Sequence, residues 1–595
     1  MNLKRYFLFF LSSILIFIIS FSMGCNTPNT NSSTPHKCSF GEWQTITEAS
    51  CENDGLKRRS CACGEYEEQS IPSIGHNGIW ETVTPPSCTQ EGLKQMNCSI
   101  CNQTFTQKIE MEPHKWEYSE PITAPTYAKD GTQMSYCKNC SHSEITPVAR
   151  LGFKAKGDAV FASKKVKILS IGNSVTDDAH QYLHDVLHKI GFTDVTIGKA
   201  WLGGSTLPQH VANIKKSTKY TWEYYNETNG AWIKSNSITI LNALKWTDWD
   251  YVTVQTLNSL PALMKPEDWK FMSDYIYENT TDALPLYYIP AFYSNVSQHY
   301  SYFGPNITLD QIYTESMDLM NQVIVPMLGK EYLGIIPTRT ASYNMYKLYQ
   351  QDEQKNSVTH RDELHSSYAN GCTLLAMSWV KTLFPQCDLT NLSLDYISPA
   401  VMKDLISCVE AMVESPYQWK ALPFGTEVID GWTTSNGGYS EENGMLTSTK
   451  RDSLLVKQDS IFENGKLSTQ ITPGVNGWCG LIFGLDSTTN YFWEKGANYY
   501  FAAISELGKL CLVKVTGTNS SIWHVIKEIE IPDYHMAKTY EITVDYNNSE
   551  GTIRILLNGT QKIAYTDPEP LCGTSYGIRS EFRSTTYTLP TINNK

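Results

Sequence analysis

Basic charge is scarce in this chain. Its 595 residues carry 48 Lys and Arg against 61 Asp and Glu, a net charge of −13, and no arginine-rich stripe interrupts that balance. Surfaces that bind polyanions are built from clustered cations, so nucleic acid is excluded as an expected partner. Long apolar runs are equally scarce. Beyond the first 25 residues no stretch is long and apolar enough to span a bilayer. Cysteine is sparse over most of the length: nine of the 16 lie between Cys38 and Cys140. With 41% apolar and 18% charged residues, a packed core is affordable and wholesale disorder is excluded. The length suits three or four domains of roughly 100–200 residues each.

What is present begins with an export segment. Lys4 and Arg5 precede an apolar stretch over residues 6–23, and a polar run starts at Asn26. Residues 1–25 therefore read as a signal rather than part of the fold. Ser22-Met23-Gly24-Cys25 resembles a bacterial lipobox, with serine where leucine is usual. That resemblance implies lipidation of Cys25 and a chain anchored at the cell surface, on the outer face of the cytoplasmic membrane. An ordinary cleaved signal, giving a secreted protein, and an uncleaved anchor helix are the alternatives.

Residues 26–152 repeat. Three units of about 38 residues share a text: Trp43, Cys51, Gly55, Cys61 and Cys63; then His76, Trp80, Cys88, Gly92, Cys98 and Cys101; then His114, Trp116, Gly131, Cys137 and Cys140, with His36 opening the first. Such units are too short to stand on burial alone. Paired cysteines with an upstream cysteine and a histidine suit zinc. In an exported chain the same cysteines more often form disulfides, which is the expectation here. Tyr127 replaces the upstream cysteine in the third unit, against a uniform four-ligand site. The units resemble repeats that decorate bacterial surface proteins, which implies a stalk or spacer.

The composition changes at Lys164. Residues 166–171 read as a strand, Gly172-Asn173-Ser174 as a sharp turn, and Ala179, Tyr182, Leu183, Val186, Leu187 and Ile190 as one face of a helix ended by Gly191. Further apolar runs at 251–254, 286–290 and 332–337 alternate with helical stretches, which predicts a parallel sheet covered on both faces. Sites on such sheets lie at the C-terminal ends of the strands, where Ser174 falls. Later, Asp362 and His365 stand three residues apart. A serine hydroxyl becomes a nucleophile when histidine takes its proton and a carboxylate orients the imidazole.

In that order, these blocks resemble the SGNH (GDSL-like) hydrolases over residues 164–385. Gly172-Asn173-Ser174 matches the nucleophile block, with asparagine where many members have aspartate, and Gly203-Gly204-Ser205-Thr206 matches the second block. Residues 249–255 resemble the third without its usual Gly-x-Asn-Asp, and Asp362-x-x-His365 matches the last. The resemblance implies a three-layer α/β, flavodoxin-like parallel sheet over residues 158–420. It implies Ser174, Asp362 and His365 as catalytic triad. The oxyanion hole would be built from Ser174, Gly203 or Gly204, and Gln255, with Asn258 a second candidate for the last donor. No metal or organic cofactor is implied.

Other patterns compete less well. His180, His184 and His188 recur every four residues but sit beside the apolar helix face, toward solvent, with no carboxylate at a motif spacing. Gly573-Thr574-Ser575-Tyr576-Gly577 spells a nucleophile elbow, yet its flanks read as strands and no histidine follows His535. Cys372, Cys387 and Cys408 read as buried apolar fillers. Over residues 425–595 short alternating strands with Gly, Asn and Asp turns predict an all-β sandwich. It resembles the concanavalin-like and laminin-G-like jelly rolls found beside bacterial carbohydrate enzymes, with Tyr491, Trp493 and Tyr499 as candidate sugar-stacking or core aromatics.

The expected whole is a multidomain surface esterase removing short acyl groups, acetyl foremost, from polysaccharide or glycoside. A catalytically silent glycan-binding adhesin and a lipid-directed esterase or lipase are the rival expectations.

Overall fold

A computed structural model describes residues 37–594 apart from 256–264, 292–307, 329–333, 351–357, 363, 426, 436–437, 458–459, 487–496 and 517–521. Cys25 with its export segment, His36, Asn258, Tyr491 and Trp493 lie outside the described residues. Among the described residues no helix is long and apolar enough to cross a membrane. The chain divides into two units, residues 1–117 with 136–143, and residues 118–135 with 144–595.

The repeats form three small three-stranded sheets. The first holds β1 (Gln44–Thr47), β2 (Gly55–Ser60) and β3 (Tyr66–Ile71); the second β4 (Trp80–Thr84), β5 (Gly92–Asn97) and β6 (Thr104–Ile109); the third β7 (Trp116–Thr123), β8 (Gly131–Cys137) and β9 (Ser143–Val148). The recurring glycine opens the middle strand of each. A Cβ there would meet backbone at 2.5 Å at Gly55, 2.7 Å at Gly92 and 2.3 Å at Gly131, so only glycine lets the loop close so tightly. These sheets have almost no apolar core. Their buried side chains are mainly the cysteines Cys51, Cys61, Cys88, Cys98 and Cys137, while Tyr66, Ile79 and Tyr118 stay exposed.

The central domain is a seven-stranded sheet of β10 (Lys165–Gly172), β11 (Asp194–Trp201), β12 (Lys219–Asn226), β13 (Ile233–Thr239), β14 (Tyr251–Gln255), β15 (Leu284–Tyr288) and β16 (Ile335–Ile336), in the order β13-β12-β11-β10-β14-β15-β16. The strands β11, β10, β14, β15 and β16 run parallel. The all-parallel expectation needs correction: β12 and β13 add at the β11 edge antiparallel, so the sheet is mixed. Strand alternation sorts side chains into two cores. Val166 and Ile168 face the helices α3 (Leu183–Lys189), α10 (Asn370–Leu383) and α11 (Pro399–Glu414). Leu169 and Ile171 face α4 (Leu207–Lys216), α6 (Pro266–Asn279) and α7 (Leu309–Leu319). Three layers result. The parallel strands reverse direction of addition between β10 and its neighbours β11 and β14, the point where doubly wound sheets open a crevice.

The single helix expected after Ser174 is two, α2 (Ser174–His180) and α3, broken at Gln181-Tyr182. His180 turns inward rather than toward solvent. It is 1% exposed and bonds the Ser170 hydroxyl at 2.9 Å. His188 pairs with Glu227 at 2.6 Å, so the three histidines do not act together. Cys372, Cys387 and Cys408 are buried.

Beyond residue 425 two antiparallel sheets of seven and eight strands face each other, in a jelly-roll-like sandwich. Leu481 and Phe483 from one and Ile542, Val544 and Ile553 from the other share a core. Asn558 and Gly559 both adopt positive φ, 49° and 75°, and close a hairpin whose strands pair Leu557 with Thr560. Ser575 opens a strand, not a strand-to-helix elbow. Tyr499 is fully buried, which makes it a core residue and not a stacking platform.

The sandwich packs on the central domain. Val475 and Phe582 join the core around Val401 and Leu405 of α11. Arg583 grips the Asp404 carboxylate with two bonds, 2.9 Å from Nε and 2.8 Å from an Nη, both groups buried. The Ser584 hydroxyl donates to the same carboxylate. Removing one partner strands a buried charge. Asp404→Ala should therefore lower the stability of the full chain by about 3–5 kcal/mol in denaturant melts, whereas replacing the pair by Asp404→Leu with Arg583→Met should recover most of that loss.

Candidate functional site

The site is assembled at the C-terminal ends of β10, β11 and β14. The chain leaves β10 and turns at Asn173, which caps α2: its side-chain oxygen accepts from the Val175 N–H at 3.1 Å. Its side-chain nitrogen donates to the Ser205 carbonyl at 3.0 Å, and its own N–H donates to Gln255 Oε1 at 3.0 Å. One residue thus ties together the ends of three strands. Ser174 follows at the first position of α2, half-buried.

His365 and Asp362 arrive on a tight loop. His360 and Ser366 bridge across it, Arg361 N–H donates to the His365 carbonyl at 3.0 Å, and Ser367 N–H donates to the Thr359 carbonyl at 2.8 Å. Asp362 Oδ1 accepts from the N–H groups of Leu364 and His365, each at 2.8 Å. The carboxylate also meets His365 Nδ1 at 2.9 Å, and His365 Nε2 lies 3.0 Å from Ser174 Oγ. A carboxylate only accepts, so Nδ1 carries the proton and Nε2 is left to accept from the Ser174 hydroxyl. Burial pushes the Asp362 carboxyl up, but the N–H groups of Leu364 and His365 and the imidazole more than offset it, so it lies below its ordinary value and stays ionised at neutral pH.

The sequence reading missed the clamp that joins these two halves. Asp178, buried on α2, accepts the Ser366 N–H at 2.7 Å and pairs with Arg361 at 2.8 Å. Arg361 in turn donates to the Ser366 carbonyl. Burial raises the Asp178 carboxyl above its usual value against the pull of Ser366 and Arg361. The signal was an acid four residues past the serine, on the same helix face, with an arginine next to the Asp-x-x-His pair.

Gln255 ends β14 below the Ser174 turn. It is 1% exposed, beneath the turn, and its Oε1 accepts from Asn173 N–H and from the Thr176 hydroxyl at 2.5 Å. The Asn173 bond fixes which end is oxygen, and Nε2 is buried without a protein partner among the described residues. A Cβ on Gly172 would meet Thr176 Oγ1 at 2.1 Å and Gln255 Oε1 at 2.9 Å, so this packing requires glycine. Gly203 and Gly204 stand exposed on the loop after β11, and Gly204 takes φ 63°. A second unforeseen support lies behind them. His210 reaches Ser205 Oγ at 3.3 Å and the Tyr220 hydroxyl at 2.9 Å, with burial pushing its pKa down to about 3, so it is neutral.

In the repeats, the cysteines expected to be disulfide-linked lie in groups of three, two of the groups joined by a histidine: Cys51, His76, Cys98 and Cys101; Cys88, His114, Cys137 and Cys140; and Cys38, Cys61 and Cys63.

Asp178 touches no reacting group in this geometry; it positions the histidine loop. Asp178→Asn should keep an acceptor for Ser366 yet lose the Arg361 pair. Amide hydrogen exchange at Arg361 and Ser366 should then speed up, because the loop loses the charged half of its clamp to α2; unchanged exchange would show that the Ser366 bond alone fixes the loop.

Residues 167–397 match a family model described as "Domain of unknown function (DUF4886)". No curated protein matches. Among solved structures, a DUF4886 family protein from Bacteroides uniformis is 25% identical, with 43% of this chain and 98% of that chain covered at a TM-score of 0.38. The carbohydrate-binding module CBM66 from Bacillus subtilis is 17% identical over 28% of this chain and 96% of its own, at 0.24. A family 16 endo-glucanase from Bacteroides ovatus is 8% identical over 29% and 98%, at 0.22. Within this chain, then, residues 167–397 are the segment that is similar to the DUF4886 family.

Proposed function

We propose that the central domain is an SGNH-like serine esterase that removes short acyl groups, acetyl foremost, from carbohydrate. The observation that carries this reading is the contact chain Asp362–His365–Ser174, at 2.9 and 3.0 Å. In it Ser174 Oγ attacks the ester carbonyl carbon while its proton passes to His365 Nε2. Asp362 holds the imidazole in the required tautomer and stabilises its protonated form. The tetrahedral intermediate collapses, the sugar oxygen leaves with the proton from His365, and an acyl–Ser174 ester remains. Water, giving its proton to the same nitrogen, then releases the carboxylic acid and restores the hydroxyl.

Negative charge on the carbonyl oxygen is met by backbone N–H groups of Ser174 and of Gly203 or Gly204. Each such donor is worth about 3–4 kcal/mol to the transition state. Asn173, whose side-chain amide is spent on the turn, and Gln255, whose side-chain oxygen is, hold these donors in place.

The substrate class rests on the sandwich, whose pattern resembles the jelly rolls beside carbohydrate enzymes; fold alone does not name a ligand. The apolar segment before Cys25 supports export, with the enzyme held at the cell surface by lipid on Cys25 or released. The intact contact chain favours catalysis over the silent adhesin.

The full chain should hydrolyse p-nitrophenyl acetate faster than long-chain esters and release acetate from acetylated polysaccharide. Ser174→Ala should cost about 10⁴-fold or more, and adding His365→Ala should cost little further, because the groups act as a unit. Chelators should leave this turnover unchanged. Full activity in Ser174→Ala would sink the assignment, and preference for long acyl chains would move it to lipid substrates.

A further inference from the structure

We propose that the cysteine-rich segment binds zinc, one ion at each joint between successive units, in Cys3His sites. The ligand sets are not confined to single units. Cys51 lies between β1 and β2 of the first sheet, while Cys98 and Cys101 lie in the β5–β6 turn of the second, and His76 comes from the linker between the sheets. The next set repeats this offset. Cys88 comes from the second sheet, His114 from the following linker, and Cys137 and Cys140 from the β8–β9 turn. Within each set all ligand atoms lie within 4.8 Å of one another.

The distances fit a tetrahedral ion. Zinc bonds of about 2.3 Å to sulfur and about 2.0–2.1 Å to nitrogen set S···S near about 3.8 Å and S···N near about 3.5–3.6 Å. Cys51 and Cys98 Sγ are 3.7 Å apart, as are Cys88 and Cys137. His76 Nδ1 lies 3.5 Å from Cys101 Sγ, and His114 Nδ1 lies 3.5 Å from Cys140 Sγ. The surroundings are those of a metal knuckle. Backbone N–H groups of Asn139 and His142 each reach a ligand sulfur, Cys137 and Cys140, at 3.5 Å. His76 turns its other nitrogen to Glu52 at 3.5 Å, the outer carboxylate that metal-bound histidines commonly recruit.

Export to an oxidising compartment argues for disulfides. Three converging sulfurs argue against them, because one disulfide per set uses two thiols and leaves a third beside an idle histidine. A metal uses all four groups. The offset also accounts for Tyr127. Each lone cysteine serves the unit after it, and no fourth unit follows the third. At that position Tyr127 instead accepts the Gly152 N–H at 3.1 Å and lies under Lys156 Nζ, 5.1 Å from its ring centre. The first set brings Cys38, ahead of the first sheet, to Cys61 and Cys63 in the β2–β3 turn.

Native mass spectrometry of the full chain should find two zinc ions, or three if the first set also loads. Cys51→Ser and Cys88→Ser should each lower the count by one. His76→Cys, which keeps four ligands, should preserve it and guards against a variant that merely misfolds. Cobalt in place of zinc should give the intense visible bands of tetrahedral thiolate ligation. A peptide map showing Cys51–Cys98 or Cys88–Cys137 disulfides in a metal-free chain would overturn the proposal. So would a zinc count that neither serine variant changes.

Discussion

Asn173 is the constraint on which the site depends. A nucleophile at the end of a buried strand needs a sharp turn, and a sharp turn leaves backbone groups unpaired. Asn173 resolves this with its own atoms: its N–H goes to Gln255 on β14, its amide nitrogen to the loop after β11, and its amide oxygen to the start of α2. Because the three strands are in fixed parallel register, these bonds tie the turn that carries Ser174 to the loop after β11. The histidine loop is then fixed against the same helix by Asp178. Neither support touches Ser174 Oγ or the His365 imidazole, yet each removes a freedom that their 3.0 Å contact cannot tolerate.

What was legible in the sequence was local. Gly172-Asn173-Ser174, Asp362-x-x-His365, the repeat period and the Asn558-Gly559 hairpin each carry their signal within a few residues, and the structure places them where that signal points. What was not legible was set by partners distant in sequence. Gln255 ends a strand beside the site, but that its oxygen accepts from Asn173, 82 residues earlier, is something no periodicity reports. The mixed sheet escaped for a related reason. β12 and β13 carry exposed, polar-alternating faces, so they lack the apolar runs by which buried parallel strands announce themselves. His180 looked solvated because an unbroken helix would have put it there; the break at Gln181-Tyr182 turns it under Trp232 and Trp379.

The joint between the central domain and the sandwich changes how an attached module should be understood. A tethered binding module raises local substrate concentration and does not touch the chemistry. Here α11 shares its core with Val475 and Phe582, and its Asp404 is paired with Arg583 of the sandwich. A buried ion pair of this kind contributes little net stability against an apolar alternative, but it is unforgiving of separation. Removing the sandwich would therefore disturb the helix layer behind the sheet, so loss of activity on truncation would not by itself report glycan binding.

The repeats follow an opposite logic. With cysteines as most of their buried side chains, the small sheets gain little from burial. Their stability has to come from cross-links, and each of the two four-ligand sets draws on neighbouring units. A site shared across a joint orders two units at once, and its free energy is lost from both when one ligand fails. Such an array is cohesive in the direction of the chain without a continuous core. It can end wherever the next unit's histidine and paired cysteines are absent, and there the position of the lone cysteine becomes free for another task, as Tyr127 takes up with Gly152 and Lys156.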